Sequence, residues 1–289
     1  MVLRLGLVGR GPWAGNIEKT LRSFPDVLVT RIGSQESPPA GLAGVLIATR
    51  SATHAQVALR YIEAGVKTFI EKPMTTTVAD AERIRVAAER SSTSVFVGHI
   101  YLYHPAFLAA LDLLPTLGEI RYVLCEGMND RPRTDSSVLW DWLPHHLSMA
   151  SAIFGRHPTS AQAWSLSGSA MPEAAVAKFQ YARVPMVSKI GWLSPAQRKT
   201  LSIVGARQTL IFDEKADRRL AIHGEQGGIT YPTYSDELPL TREMDAFFDA
   251  VQSDKFDSKQ VDIGVAVVRA IAAAEESVRL GGKPVPTSF

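Results

Sequence analysis

The sequence predicts an α/β chain in two parts: a parallel sheet wound on both faces by helices, then an α+β part built on a mainly antiparallel sheet. Three observations predict it. The chain has 289 residues, and single cores stop growing near this size, so two domains are favoured over one. Its first hundred residues alternate short apolar runs with helix-period segments, the grammar of a parallel sheet covered by helices. Beyond Gly118 strand-like runs follow one another through turns, with few long helices between them, which suggests antiparallel pairing.

Taken in order, Leu3–Val8, Val27–Ile32, Val45–Ala48, Lys67–Ile70 and Ser94–Val97 read as strands. Between the third and fourth, Ala55, Ala58, Leu59 and Ile62 share a helix face, with Gly65 as its C-cap. A further helix runs through Ala79–Arg90. Pro115 and Gly118 mark a link, so the domains are expected at 1–118 and 119–289, with the C-terminal helices packing back on the first domain. In the second part Ile120–Glu126, Ala174–Tyr181, Met186–Trp192, Leu201–Val204 and Thr209–Phe212 read as strands. Two helical stripes close the chain: Met244, Phe247, Phe248 and Val251, then Ile263, Val267, Ile271, Ala274 and Val278. Both read as core faces.

Composition narrows the function classes. Basic residues number 31 and acidic 29, a balance that gives no footprint for nucleic acid. No segment approaches the ~20 apolar residues of a membrane span, and the N-terminal apolar run is too short for a secretion signal. Cys125 is the one cysteine; it reads as a small buried hydrophobe, and no disulfide or multi-cysteine metal site can form. The expected location is the cytoplasm, and no metal is expected.

The first chemical motif follows strand one directly. Gly9-Arg10-Gly11-Pro12-Trp13-Ala14 fits G-x-G-x-x-[GA], in which the glycines allow a tight turn and close approach of a pyrophosphate, and the small last position lets helix and strand pack. These six residues are the expected dinucleotide site, and they make the first domain a doubly wound Rossmann domain. Strand two ends in Ile32-Gly33-Ser34-Gln35, with no acid before Glu36. An acid there would bind the ribose 2′-hydroxyl of NAD. Its absence favours NADP over NAD, with Ser34 donating to a 2′-phosphate and Arg10 or Arg31 neutralising it. Either cofactor fits if Gly33 and Ser34 only make a turn.

Further motifs converge along the chain. Ile47-Ala48-Thr49 precedes Thr53-His54; Ala64-Gly65-Val66-Lys67 precedes Glu71-Lys72-Pro73; Asp141 and His145 stand four apart; Arg242-Glu243-Met244, Ala274-Glu275-Glu276-Ser277 and Gly282-Lys283-Pro284-Val285 follow. Together they resemble the glucose-fructose oxidoreductase, inositol dehydrogenase and rhizopine catabolism family over nearly the whole chain. The resemblance implies a Rossmann domain, then an α+β domain with an open-faced sheet that pairs copies into dimers or tetramers. It implies an NAD(P)-dependent oxidoreductase acting on a sugar, cyclitol or related small alcohol or carbonyl. The chain departs from the family pattern in two places. Ser148 stands where an acid often follows the catalytic histidine, and Leu102 stands where an arginine is common.

Carried over residue by residue, Lys72, Asp141 and His145 are the expected catalytic set, in a cleft between the domains. Histidine suits the removal of a hydroxyl proton as hydride leaves. Lys72 would stabilise alkoxide character at the reacting oxygen. Asp141 would hold His145 or a substrate hydroxyl; the other reading is a helix N-cap with Pro144 in the first turn. Thr49, His54, Glu71 and Lys72 join the expected cofactor contacts. His99, Tyr101, Arg133 and Trp140 stand as substrate-binding candidates. Two rival readings stay open: an NAD-dependent hydrolase or lyase on the same fold, and a non-catalytic NAD(P) sensor.

Overall fold

The computed structural model describes residues 2–134, 136–169, 171–253 and 255–287. The chain divides into two compact units, the first made of residues 1–100 and 238–268, the second of 101–237 and 269–289.

The first unit holds a five-stranded parallel sheet in the order β2-β1-β3-β4-β5. Its strands are β1 (Leu3–Val8), β2 (Val27–Ile32), β3 (Gly44–Ile47), β4 (Lys67–Glu71) and β5 (Val95–Gly98). The three inner strands are buried along most of their length, as a parallel sheet covered on both faces requires. Helices α1 (Pro12–Leu21), α2 (His54–Glu63), α3 (Val78–Ser91) and α6 (Pro239–Gln252) cover it. α1 packs with α6, and α2 with α3. α6 brings its apolar stripe to the sheet: Phe247 lies 5.6 Å from Phe69 and Phe248 lies 4.9 Å from Phe24, ring centre to ring centre. Lys67 Nζ donates to the carbonyl of Val251 at 2.9 Å. The strand order reverses between β1 and β3, the switch point at which open α/β sheets bind ligands beyond their carboxyl ends.

The second unit holds a nine-stranded sheet in the order β13-β12-β11-β10-β6-β9-β8-β7-β14. Its central strands are β6 (Ile120–Met128), β8 (Ala174–Tyr181), β9 (Val184–Gly191) and β10 (Arg198–Gly205). Flanking them are β7 (Ser160–Ser165), β11 (Thr209–Asp213), β12 (Leu220–His223), β13 (Ile229–Thr230) and β14 (Val285–Pro286). Pairing is antiparallel except between β6 and β9. Residues alternate across it: Val123, Cys125, Phe179, Ile190, Leu201 and Phe212 are buried, with the two helices α4 (Pro105–Asp112) and α5 (Val138–Phe154) on that side. Tyr122 and Leu124 on the opposite face are exposed.

Two expectations need correction. The stripe foreseen in the last helix, α7 (Lys259–Arg279), is displaced: Ile263 and Val278 are only half-buried, while Val261, Val265 and Val268 join Val267, Ile271 and Ala274 in the core. A near-uniform run of Val, Ile and Ala carries little contrast from which to phase a helix. And α5 begins at Val138, with Ser137 at its N-cap, so Asp141 is not the cap; it sits in the first turn, and Pro144 lies inside the helix.

Candidate functional site

At the carboxyl edge of the parallel sheet the glycine turn has the form a dinucleotide needs. Gly9 has φ +140°, and a Cβ there would stand 2.3 Å from the carbonyl oxygen of Ala48; no other residue fits. A Cβ on Gly11 would meet nothing within 4 Å, so the space over the start of α1 is open to an approaching phosphate. Pro12 takes the first helical position and Ala14 is buried against the sheet. The amides of Trp13 and Ala14 precede the first intrahelical bond, from Gly15 to Gly11, and point out of the helix end, where an anion is favoured. Arg10 is exposed. These residues fit a dinucleotide pyrophosphate.

The loop after β2 adds features that the sequence did not reveal. A Cβ on Gly33 would lie 2.5 Å from Glu36 Oε1, so the Glu36 carboxylate folds back over the strand end. Arg31 is engaged elsewhere: it donates to the carbonyl of Gly9 and pairs with Glu18 at 2.5 Å. Arg60, from α2, donates to the carbonyls of Ser34 and Glu36. Ser34 itself is exposed.

β4 delivers Glu71 and Lys72 to the same edge. Glu71 is buried; its Oε1 accepts the indole N–H of Trp13, and its Oε2 accepts the backbone N–H of Lys72 at 3.2 Å. The Trp13–Glu71 bond joins the two motifs that the sequence places 58 residues apart. Burial raises the Glu71 carboxyl above its ordinary range, against the pull of Trp13 and Lys72. His99, just past β5, is buried and pushed down to about 3, first by burial and then by the Lys72 charge, so it is neutral. His54 is locked between the carbonyls of Pro73 and Thr49, at 2.9 and 3.2 Å. Thr49 and His54 thus shape the turn that carries Lys72.

In the second unit α5 carries the other candidates. His145 borders a small, partly open cavity of about 10 Å³, with Tyr101, Trp142, His146, Met149, Lys199 and Phe212 around it. Tyr101 meets the His145 ring edge-on at 5.0 Å between ring centres. The Tyr101 hydroxyl donates to Glu214, which also takes Lys199 Nζ at 3.1 Å. Trp142 packs over Gly127, where a Cβ would meet its ring at 2.4 Å. His146 points away from His145, to Ser188 Oγ at 3.1 Å, and burial holds it down to about 3. Asp141 is gripped by Trp192 Nε1 at 3.0 Å and by Arg133 at 2.9 Å. Arg133 therefore serves Asp141. Trp140 is buried and donates to Glu275 at 3.0 Å; Trp142, not Trp140, faces the cavity. Lys199, Glu214, Trp142 and Trp192 were not foreseen, because strand register and helix phase bring them in from distant sequence. Among the described residues no cluster of His, Cys, Asp and Glu can hold a metal ion, and no helix is long and apolar enough to cross a membrane.

Known proteins resemble the chain in sequence and in fold. Residues 34–99 match the GFO_IDH_MocA family, described as an oxidoreductase family with an NAD-binding Rossmann fold. The crystal structure of a candidate oxidoreductase from Magnetospirillum magnetotacticum is 28% identical and superposes with a TM-score of 0.84 over 95% of this chain and 100% of that one. The chain is similar to this family in the stretch that its model matches. A UDP-N-acetylglucosamine 3-dehydrogenase from Acidithiobacillus ferrooxidans is 29% identical over 148 residues, 50% of this chain and 44% of that protein. An inositol 2-dehydrogenase from Rhizobium meliloti is 26% identical over 203 residues, 66% of this chain and 57% of that protein. The chain thus spans about half the length of the curated family relatives it matches. The fold is that of an inositol dehydrogenase homolog from Azotobacter vinelandii, 16% identical, with a TM-score of 0.85 over 99% of this chain and 98% of that one.

Proposed function

We propose that this chain is a nicotinamide-dependent dehydrogenase of a sugar, cyclitol or similar polyol. The observation that carries the reading is the Trp13–Glu71 bond, which gathers the dinucleotide turn, Glu71 and Lys72 at one sheet edge. When bound, the nicotinamide supplies a hydride acceptor or donor. The protein's own groups do the rest. The amides after Gly11 hold the pyrophosphate. Lys72 Nζ stabilises negative charge on the reacting oxygen. His145 takes or gives the hydroxyl proton. Asp141, fixed by Arg133 and Trp192, is a positioning residue within α5. The aromatic side chains beside His145 suit the apolar face of a sugar ring, and Tyr101, Glu214 and Lys199 suit its hydroxyls.

We infer NAD rather than NADP, because Glu36 folded over Gly33 supplies the acid that the linear sequence lacked. It accepts from a ribose 2′-hydroxyl and repels a 2′-phosphate. We also propose that a second copy covers the outer sheet face, where Tyr122 and Leu124 are exposed.

The test is a nicotinamide-absorbance screen of sugars, cyclitols and their keto forms with both cofactors. On the substrate so found, His145→Ala should lower turnover by about 10²–10⁴ and leave NAD affinity intact. Lys72→Ala should act likewise, and the double variant should lose less than the product of the two. Wild-type turnover in both single variants would overturn the assignment. Substrate consumption with bound NAD and no net absorbance change would point instead to a hydrolase or lyase.

A further inference from the structure

One buried donor beside His145 has no use in the chemistry above. Trp142 is 5% exposed, and its indole N–H finds no hydrogen-bond partner among the described residues. The Cγ, Cδ2 and Cε3 side of the ring packs on Gly127, so Nε1 lies on the side turned away from that glycine. Trp142 and His145 stand three apart on α5 and share a helix face. Their ring centres are 6.4 Å apart, and both border the same cavity. His146, whose ring centre lies 6.3 Å from that of Trp142, is turned to Ser188. The carboxylates around the cavity are engaged elsewhere: Glu126 with Lys189 at 3.6 Å, Glu214 with Tyr101 and Lys199.

A buried donor without an acceptor is costly, and native proteins keep one chiefly where a water or a ligand completes it. The cavity, of about 10 Å³, has room for a group the size of one water. A hydroxyl is of that size, and it can enter while its ring stays at the open side. We propose that the Trp142 indole N–H is a substrate-binding donor, which hydrogen-bonds the oxygen on the carbon next to the reacting one. The inference rests on the reading of His145 as the group that moves the hydroxyl proton. With His145 on one oxygen and Trp142, about one helical turn away, on its neighbour, the two side chains read adjacent oxygens of a sugar or cyclitol. An indole N–H only donates, so it serves a hydroxyl or a carbonyl alike. The site therefore takes vicinal diols and α-hydroxy ketones. It rejects an alcohol whose neighbouring carbon is bare, because that alcohol leaves the buried donor unpaired.

Two measurements test this. The first reads the donor itself, in the indole N–H signals of the isotope-labelled protein, with that of Trp142 identified by its loss in Trp142→Phe. Adding myo-inositol or glucose together with NADH, which passes no hydride to an alcohol, should move the Trp142 signal downfield. Cyclohexanol, which has no second oxygen, should leave it in place. A Trp142 signal unmoved by both polyols, and by any polyol that the absorbance screen picks out, overturns the proposal. The second is kinetic, on the substrate of that screen. Trp142→Phe should raise KM by about tenfold, with the loss carried by KM rather than kcat. The analogue lacking the neighbouring hydroxyl should lose about tenfold in the wild type and nothing further in the variant. If phenylalanine packs poorly, replacing the indole by benzothiophene removes the N–H at nearly constant shape and should give the same result. Equal losses on the substrate and on every deoxy analogue overturn the proposal, for Trp142 then acts by packing alone. A Trp142 signal that moves with a polyol in a protein that oxidises none would retain the binding site and remove the dehydrogenase reading.

Discussion

In the proposed preference for NAD, Glu36 acts by where its side chain lies, not by where it falls in the sequence. Its carboxylate folds over Gly33 while Arg31 is committed to Glu18. Glu36→Ala should weaken NAD by about tenfold, the scale of one hydrogen bond to a charged group, and should bring NADP affinity up. Fluorescence-detected dissociation constants for both cofactors would check it, and a wild type that prefers NADP would show that Arg60 rather than Glu36 governs the loop. The buried histidines set an acid limit of stability. His146 is held down to about 3 from its ordinary 6.5, so below pH 6.5 the unfolded chain takes a proton that the folded one refuses. Stability is complete above 6.5 and falls with pH down to about 3. His99 has the same sign. Glu71 and Glu243 act oppositely: their folded-state values are raised, so their contribution is lost as pH rises from the ordinary 4.5. His146→Asn should therefore flatten the acid arm of melting temperature against pH. At this scale the sequence was legible where the constraint is local, as at Gly9. It was silent on Arg60 and Glu214, whose partners lie far along the chain.

Among the elements, the turn from β1 into α1 makes the sharpest prediction. Gly9 and Gly11 look alike as letters, yet one is required by the fold and the other by the ligand. Gly9→Ala should cost stability outright, because its φ of +140° and the Ala48 carbonyl both exclude a side chain. Gly11→Ala should fold normally, since nothing stands near its Cβ, and should lose dinucleotide affinity by filling that open space. Thermal melts paired with NAD titration separate the two, and equal loss of stability in both would contradict this division. α5 shows how far an element can be read in advance. Its Asp141–His145 spacing was plain from one helical turn. Its start was not, because the buried stretch Val138–Trp140 carries no polar face to mark a helix, and Pro144 reads as a first-turn residue when it lies within.

At the level of the whole molecule, the nine-stranded sheet keeps one face under helices and the other exposed at Tyr122 and Leu124. Leu124→Glu places a charge on that outer face and touches nothing beneath it. It should shift the protein toward monomer in sedimentation while its melting temperature at low concentration stays near wild type. A wild type that sediments as a monomer would remove the paired-sheet proposal. The alternating periodicities of the two halves announced both sheets. The path of the chain between the units was less legible, because α6 resembles any amphipathic helix until its phenylalanines are seen against Phe24 and Phe69. That path has a consequence for synthesis. The first hundred residues leave the ribosome with every strand of their sheet, yet Phe247, Phe248 and Val251, which complete its core, are made about a hundred and fifty residues later. The nascent dinucleotide domain must therefore wait, part of its apolar surface uncovered, until nearly the whole chain has emerged. A polypeptide arrested before α6 should be a client for chaperones and prey for proteases, although it carries the complete glycine turn and the Glu-Lys-Pro segment.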